Sequence, residues 1–363
     1  MTKRQSAPEV PHENTARPEP FNIVYFERWA DPIAEEILSA EPFVRLIRLK
    51  QGDPPEKIAA AFEAAHGFQV TSARSDVIVA PDKALLARAP NLIAISTGGA
   101  GYDTVDIEAC SEAGVIVVNQ SGLNKQAVSE HVLGMMLALS KQMIQSDRAM
   151  RRDRKWTRFD YVGEDIYGKT IGIIGVGNIG TLVAKSCAGA FAMTVLGYDP
   201  YLTAEEMARR GARKVTLEKL LEEADFVSVN CPFTKETSGV IGSRQFRAMK
   251  KTAYFIQTAR GGIHDEAALV EALREGRIAG AGLDVFVTEP PSLDHPLHGF
   301  DNALLTPHNA GVTRQAYRSM AEGAARQWLA ILKGERPPRL LNPEAWVAFR
   351  DRYERLVGYQ PAR

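Results

Sequence analysis

The stretch Ile171-Gly-Ile-Ile-Gly175-Val-Gly177-Asn-Ile-Gly180 carries an apolar run straight into glycines spaced Gly-x-Gly-x-x-Gly and then into helix-forming residues. Each glycine has a mechanical reason. The first permits a tight turn from strand to helix, the second lets backbone N–H groups approach a phosphate closely, and the third lets the helix lie flat on the strand. The helix N-terminus then adds partial positive charge. Glycine fills 29 of 363 positions. By chance alone the spacing would occur roughly 0.2 times in such a chain, so its surroundings must decide. A second apolar run, Met193-Thr-Val-Leu-Gly-Tyr198, follows the predicted helix and ends at Asp199, 19 residues beyond Gly180 (199 minus 180). A carboxylate there accepts hydrogen bonds from both ribose hydroxyls of NAD and repels the extra phosphate of NADP. Strand, helix, strand and acid together predict an NAD-binding βαβ unit using Gly175, Gly177, Asn178, Ile179, Gly180 and Asp199. The blander reading is a glycine-rich turn inside an ordinary βαβ unit.

The length of 363 residues favours two domains, and 45% hydrophobic with 24% charged residues is the balance of a soluble globular protein. Formal net charge is zero, which offers no sign of a nucleic-acid or acidic-membrane partner. The one dense basic run, Arg151-Arg-Asp-Arg-Lys155, reads as a solvated helix end. Cys110, Cys187 and Cys231 are too few and too far apart for a disulfide framework or a metal site. They fit free thiols in a reducing cytoplasm. Met1 to Pro20 is polar and proline-rich, and is expected to be a disordered leader, not a signal peptide. No stretch is long and apolar enough to span a bilayer.

Strand-like runs at Phe21–Phe26, Phe43–Leu49, Val77–Ala80, Leu92–Ser96 and Val115–Val118 alternate with helical patterns and predict a first α/β domain. An amphipathic stretch from Gln126 to about Met150 links it to the nucleotide-binding part. Beyond Asp199, strands are expected at Phe226–Val229, Ala253–Ile256, Ala279–Val285 and Ala303–Leu305. Helices are expected at about Ala204–Arg210, Ser243–Lys250 and Asp265–Glu275. The fold class is thus α/β, with two doubly wound parallel-sheet domains, Rossmann-like or flavodoxin-like, and a cleft between them. The helix Thr313–Lys333 has an apolar face but no strand partner, so it is expected to pack back on the first domain. This gives residues 21–125 plus 312–340 as a discontinuous substrate-binding domain, 126–311 as the NAD-binding domain, and 341–363 as a surface tail.

Three strand ends after the glycine turn combine polar residues, and strand ends are where open α/β sheets bind ligands. They are Thr258-Ala-Arg260-Gly-Gly, Asp284-Val-Phe-Val-Thr-Glu289-Pro-Pro and Thr306-Pro-His308-Asn-Ala-Gly311. Oxidising an alcohol with NAD removes a hydride from carbon while a base takes the hydroxyl proton. Histidine suits that base because its ordinary pKa lies near working pH. A carboxylate beside it would fix the ring tautomer and favour the charged form. An arginine fork would hold a substrate carboxylate in two parallel hydrogen bonds. Each residue alone has a plainer reading, since His308 could cap a helix, Glu289 could be a solvated loop acid and Arg260 a structural ion-pair partner. Their joint position on one sheet favours catalysis.

The chain from about Phe21 to Lys333 resembles the D-isomer-specific 2-hydroxyacid dehydrogenases, which include the phosphoglycerate dehydrogenases. The likeness rests on Thr97-Gly-Gly-Ala-Gly-Tyr-Asp103, Val128-Ser-Glu-His131, Gly168 to Gly180, Tyr198-Asp-Pro200, Thr258-Ala-Arg-Gly261, Glu289-Pro290 and Thr306-Pro-His308. By this resemblance Arg260 orients the substrate, His308 transfers the proton and Glu289 is its partner. Asp284 and the Thr258-Ala259 backbone are implied beside the nicotinamide, with Gly311 near them. Pro200, Cys231, Pro232 and Thr237 are implied on the adenosine side. Gly99, Ala100 and Gly101 would offer backbone N–H donors to the substrate carboxylate, with Asn124 and Ala80 flanking. The plainer reading of Gly98–Gly101 is an ordinary strand exit. His131 reads as a packed or dimer-interface residue, and its helix lies near a two-fold axis in the family, which implies a homodimer.

The resemblance also marks departures. Phosphoglycerate dehydrogenases usually carry Arg-Ser at the end of the strand read here as Val77–Ala80, where this chain has Ala80-Pro81, so a substrate cation is expected to be missing. Gln257 replaces a usual Asn and His264 a usual aliphatic residue, and both are expected to bear on the substrate pocket. A short form without a regulatory domain is implied, and with it no serine feedback. The function expected is NAD-dependent interconversion of a D-2-hydroxy acid and its 2-oxo acid. The alternatives are a phosphite-type dehydrogenase on the same scaffold, since formate enzymes carry Gln at the Glu289 position, and a non-catalytic NADH-sensing binding protein.

Overall fold

A computed structural model describes residues 19–71, 77–152 and 156–358. The predicted leader falls almost wholly outside these. Both sheets are entirely parallel, as crossover helices on both faces require. The first contains β1 (Phe21–Phe26), β2 (Val44–Leu49), β3 (Gly67–Val70), β4 (Ala94–Thr97) and β5 (Ile116–Val118), in the order β2-β1-β3-β4-β5. The second contains β6 (Thr170–Ile174), β7 (Thr194–Tyr198), β8 (Arg213–Lys214), β9 (Phe226–Val229), β10 (Tyr254–Gln257), β11 (Gly280–Leu283) and β12 (Ala303–Leu305). Its order is β12-β11-β10-β9-β6-β7-β8. The chain therefore reverses direction across the sheet between β6 and β9, where such folds place a dinucleotide.

Strand β3 corrects the sequence reading. Val77–Ala80 is not a strand, and the third strand of the first sheet is Gly67-Phe-Gln-Val70, paired with β1 and β4. It is buried on both faces, so it shows no alternation of apolar and polar residues. Gly67 is there because the ring of Trp328 fills the space a side chain would need: an ideal Cβ would stand 2.5 Å from that ring.

Trp328 belongs to the helix Arg314–Leu332, which joins Ile23, Ala94, Ile116 and Val118 of the first sheet in one apolar cluster. Its indole N–H donates to Gln69 Oε1 at 2.8 Å. The same cluster takes in Phe349 and Tyr353 of a final helix, Trp346–Val357, both fully buried. The expected surface tail over 341–363 is thus corrected through residue 358. Apolar residues at 346, 349 and 353 make a helical stripe, and burying it against Trp328 outweighs the loop signal of Pro337, Pro338 and Pro343. Among the described residues no helix is long and apolar enough to cross a membrane.

Candidate active site

At the end of β6 the chain turns at Gly175 with φ +87°, a conformation that disfavours any side chain. A Cβ there would stand 2.6 Å from the backbone nitrogen of Cys231, and one at Gly180 would stand 2.3 Å from the Gly175 carbonyl oxygen. At Gly177, which caps the helix Asn178–Phe191, a Cβ would meet nothing within 4 Å. Two glycines thus close the turn, and the third leaves open space before the helix N-terminus. That cradle fits a pyrophosphate. Asp199, at the end of β7, accepts from the Val176 amide at 3.1 Å, so its carboxylate stands beside the turn as a ribose partner must. Cys231 follows β9 across the switch point, and burial pushes its thiol up to about 11, which makes it an apolar wall and not a nucleophile. Thr237 holds the next loop by donating to the Pro232 carbonyl at 2.7 Å.

The ends of β10, β11 and β12 bring Arg260, Glu289 and His308 to the same edge of the sheet. His308 Nδ1 lies 2.7 Å from Glu289 Oε2. The other carboxylate oxygen, Oε1, accepts the Phe286 amide at 3.0 Å, which fixes the plane of the group. Burial alone would raise the Glu289 carboxyl. The His308 hydrogen bond, the Phe286 amide and the charges of His308 and Arg260 outweigh it and hold the group below the usual carboxylate range. Glu289 is therefore ionised, and His308 Nδ1 carries the proton between them. Nε2 is then the nitrogen left for chemistry. His308 has φ +51°, a left-handed backbone costly for a residue with a side chain.

Asp284, fully buried at the end of β11, supports that backbone. Its Oδ1 accepts from the Asn309 amide at 2.8 Å and from the Thr306 hydroxyl at 2.6 Å, and its Oδ2 accepts from the Ala310 amide at 2.8 Å. These bonds tie Asp284 to the loop that carries His308, and Oδ2, with one hydrogen bond, keeps capacity to accept another.

The first domain faces this edge with the loop after β4. Arg260 Nε donates to Asp103 Oδ1 at 3.1 Å, and Nη1 donates to the Ala259 carbonyl at 2.8 Å. Asn119 Nδ2 donates to the Ala100 carbonyl at 2.7 Å. In a trans peptide the carbonyl and the next N–H point oppositely, so the Gly101 N–H faces away from Asn119. Asn124 stands where the two chain crossings meet, with its Nδ2 3.0 Å from an ideal Cβ on Gly311. The buried Asn124 Oδ1 and Thr258 Oγ1 have no hydrogen-bond partner among the described residues, which suits groups awaiting a ligand.

The family pattern described as D-isomer specific 2-hydroxyacid dehydrogenase, NAD binding domain, matches residues 133–310. A glyoxylate reductase of Thermofilum pendens is 42% identical over 267 residues, which is 72% of this chain and 78% of that protein. The chain belongs to the D-isomer specific 2-hydroxyacid dehydrogenases. A D-3-phosphoglycerate dehydrogenase of Archaeoglobus fulgidus is 38% identical over 84% of this chain but 57% of its own length, so the chain spans a little over half of that enzyme. A crystal structure of D-lactate dehydrogenase from Aquifex aeolicus, complexed with NAD and lactic acid, superimposes with a TM-score of 0.76 at 26% identity, covering 88% of this chain and 99% of its own. A Thermus thermophilus protein superimposes with a TM-score of 0.78 at 31% identity, covering 88% and 100%. The cofactor of this dehydrogenase is NAD.

One expected site residue of the dehydrogenase stands elsewhere, and two other positions singled out in the sequence are buried. Ala80 is exposed in a loop and ends no strand, so the inference of a missing cation at Ala80-Pro81 falls with it. The segment leaving β3 begins at Thr71 and contains Arg74-Ser75, which lie outside the described residues. Gln257 and His264, expected to bear on the substrate pocket, are buried. Gln257 Oε1 accepts from the Ala259 amide at 2.9 Å, and His264 packs edge-on to Phe255 with ring centroids 5.4 Å apart. Asp103 was missed as a partner of Arg260 because the two are 157 positions apart and nothing local in the sequence pairs them.

One consequence is direct. An ideal Cβ on Gly101 would fall 1.6 Å from Arg260 Nη2, the far end of a flexible side chain. Gly101→Ala is expected to displace the guanidinium while sparing the fold, lowering kcat/KM on the order of 10²-fold with Tm unchanged. Wild-type kcat/KM for this variant would contradict the placement of Arg260.

Proposed function

We propose that this dehydrogenase interconverts a D-2-hydroxy acid and its 2-oxo acid, with Arg260, Glu289 and His308 as its catalytic residues. The observation that carries the reading is the 2.7 Å contact between His308 and Glu289 at the strand ends that also present Arg260. The substrate carboxylate is held by the Arg260 fork and the Gly99–Gly101 backbone, with Asn124 flanking. Arg260 Nη2, which neither Asp103 nor Ala259 engages, also polarises the reacting oxygen. NADH, when bound, supplies the hydride for the carbonyl carbon. His308 Nε2 gives its proton to the oxygen that becomes the hydroxyl, and takes it back in the reverse direction. Glu289 steadies the positive charge of the imidazole meanwhile.

The small acid lies between two domains that the chain crosses at residues 119–125 and 309–314, an arrangement suited to closing over it. The first domain, 21–125 with the helices after residue 312, acts as the substrate-binding part, and 126–311 as the NAD-binding part. Trp156, Phe159, Val162 and Tyr167 are all exposed just beyond the connecting helix Lys125–Ser140, and such an apolar group supports a homodimer. Three free cysteines, two of them buried, are in keeping with a cytoplasmic protein.

The test is a panel of 2-oxo acids followed by loss of NADH absorbance, with glyoxylate, hydroxypyruvate, phosphohydroxypyruvate and larger branched or aromatic acids. Turnover of at least one member is expected. Silence across the panel with NADH binding intact would favour a sensor, and phosphite-dependent reduction of NAD would favour the phosphite reading.

A further inference from the structure

His131 is not among the catalytic residues proposed above, and it sits on the rigid connecting helix, whose Val132, Met135 and Met136 are buried against the second sheet. Its Nε2 lies 3.1 Å from Thr306 Oγ1 and 3.8 Å from Asp284 Oδ1. A threonine hydroxyl has one proton to donate. At 2.6 Å from Asp284 Oδ1 that proton belongs to the carboxylate, while the Leu283 carbonyl at 3.5 Å is a distant second choice. Thr306 can therefore only accept from His131, and His131 Nε2 must carry a hydrogen. The order of donation is fixed: His131 to Thr306, Thr306 to Asp284. Asp284 in turn receives the amides of Asn309 and Ala310, the two residues after His308.

We propose that His131 and Thr306 are positioning residues for His308. Through Asp284 they hold the left-handed turn that aims the imidazole, so a histidine on the interdomain helix governs proton transfer without touching the substrate. The turn is costly for a residue with a side chain, and it relaxes when the hydrogen bonds on either side of it loosen. The inference rests on the role given to His308.

Its test uses the full chain and whichever panel acid turns over fastest. His131→Phe, which fills the space but cannot donate, is expected to lower kcat roughly tenfold. KM for the acid and Kd for NADH should stay within about twofold, since the hydrogen bonds that begin at His131 end on the Asn309 and Ala310 amides and not on Arg260 or the glycine turn. His131→Gln, whose amide can donate from nearly the same place, should restore most of the loss. Thr306→Val should match His131→Phe, and the double variant should be no worse than either alone, because one chain is cut twice. In histidine labelled with nitrogen-15, His131 should show a protonated Nε2 whose hydrogen exchanges faster in Thr306→Val. Wild-type kcat in His131→Phe, a Gln variant as slow as Phe, or multiplicative losses in the double variant would each overturn the proposal. His308→Ala separates the two levels: if it is inactive while His131→Phe is fully active, only the positioning role fails. If His308→Ala keeps full activity, the assignment of His308 fails first.

Discussion

Replacing His308 with alanine is expected to lower turnover in both directions by on the order of 10²–10⁴-fold while NADH binding is largely kept. The two halves of this expectation have separate causes. Turnover falls because Glu289, held ionised and fixed by the Phe286 amide, has no imidazole to steady, and no other side chain hydrogen-bonded in the loop can give up a proton from that place. Binding survives because, among the described residues, the glycine turn and Asp199 hydrogen-bond with each other and not with the His308 loop. The loop itself keeps its anchors, since Asp284 holds the backbone amides of Asn309 and Ala310 and not the imidazole. Steady-state rates together with a fluorescence titration of NADH provide the check. A His308→Ala protein that turns over at the wild-type rate would remove the histidine from the mechanism.

The second large effect concerns stability. Both ring nitrogens of His264 are buried without a hydrogen-bond partner among the described residues. Burial pushes its pKa down from 6.5 to about 4, against the smaller opposing pull of Glu266 and Asp265. The folded protein thus holds His264 neutral where the unfolded chain would protonate it. The stability at stake is fully present above pH 6.5 and is lost as pH falls toward 4. With each pKa unit equal to about 1.4 kcal/mol, the loss is on the order of 3 kcal/mol. His264→Val removes both unpartnered nitrogens. It should be the more stable protein at neutral pH and should lose less stability on acidification. Urea unfolding of both proteins at pH 7 and pH 4.5 makes the comparison, and equal losses in the two would show that His264 does not drive acid sensitivity.

How much of this could be read beforehand depended on range. The NAD cradle was legible because its cause is local: three glycines, a strand on one side and a helix on the other lie within ten residues. The helix Arg314–Leu332 was legible as an apolar stripe lacking a partner. Strand β3 was not, because burial on both faces erases alternation and Gly67 reads as a strand breaker until Trp328 is seen above it. That error moved the expected substrate loop by about ten residues and put Ala80 in the site. Asp284 carried a similar ambiguity. A carboxylate at a strand end can face a ligand, its own loop or both, and only the geometry of residues 306–310 shows that its oxygens reach the loop.

The order of residues along the chain was enough to settle the βαβ unit and the parallel class of both sheets, and it placed Asp199 at the end of the second strand of that unit, since each follows from short-range periodicity and backbone freedom. It also named an arginine, a glutamate and a histidine as candidates. Tertiary structure alone decided that Glu289 meets His308, that Asp103 of one domain holds Arg260 of the other, and that His131 reaches Thr306 across 175 positions. Those pairings depend on where distant strand ends and one helix face come to lie, and side-chain hydrogen bonds form only within about 3 Å, a distance that no spacing in sequence encodes.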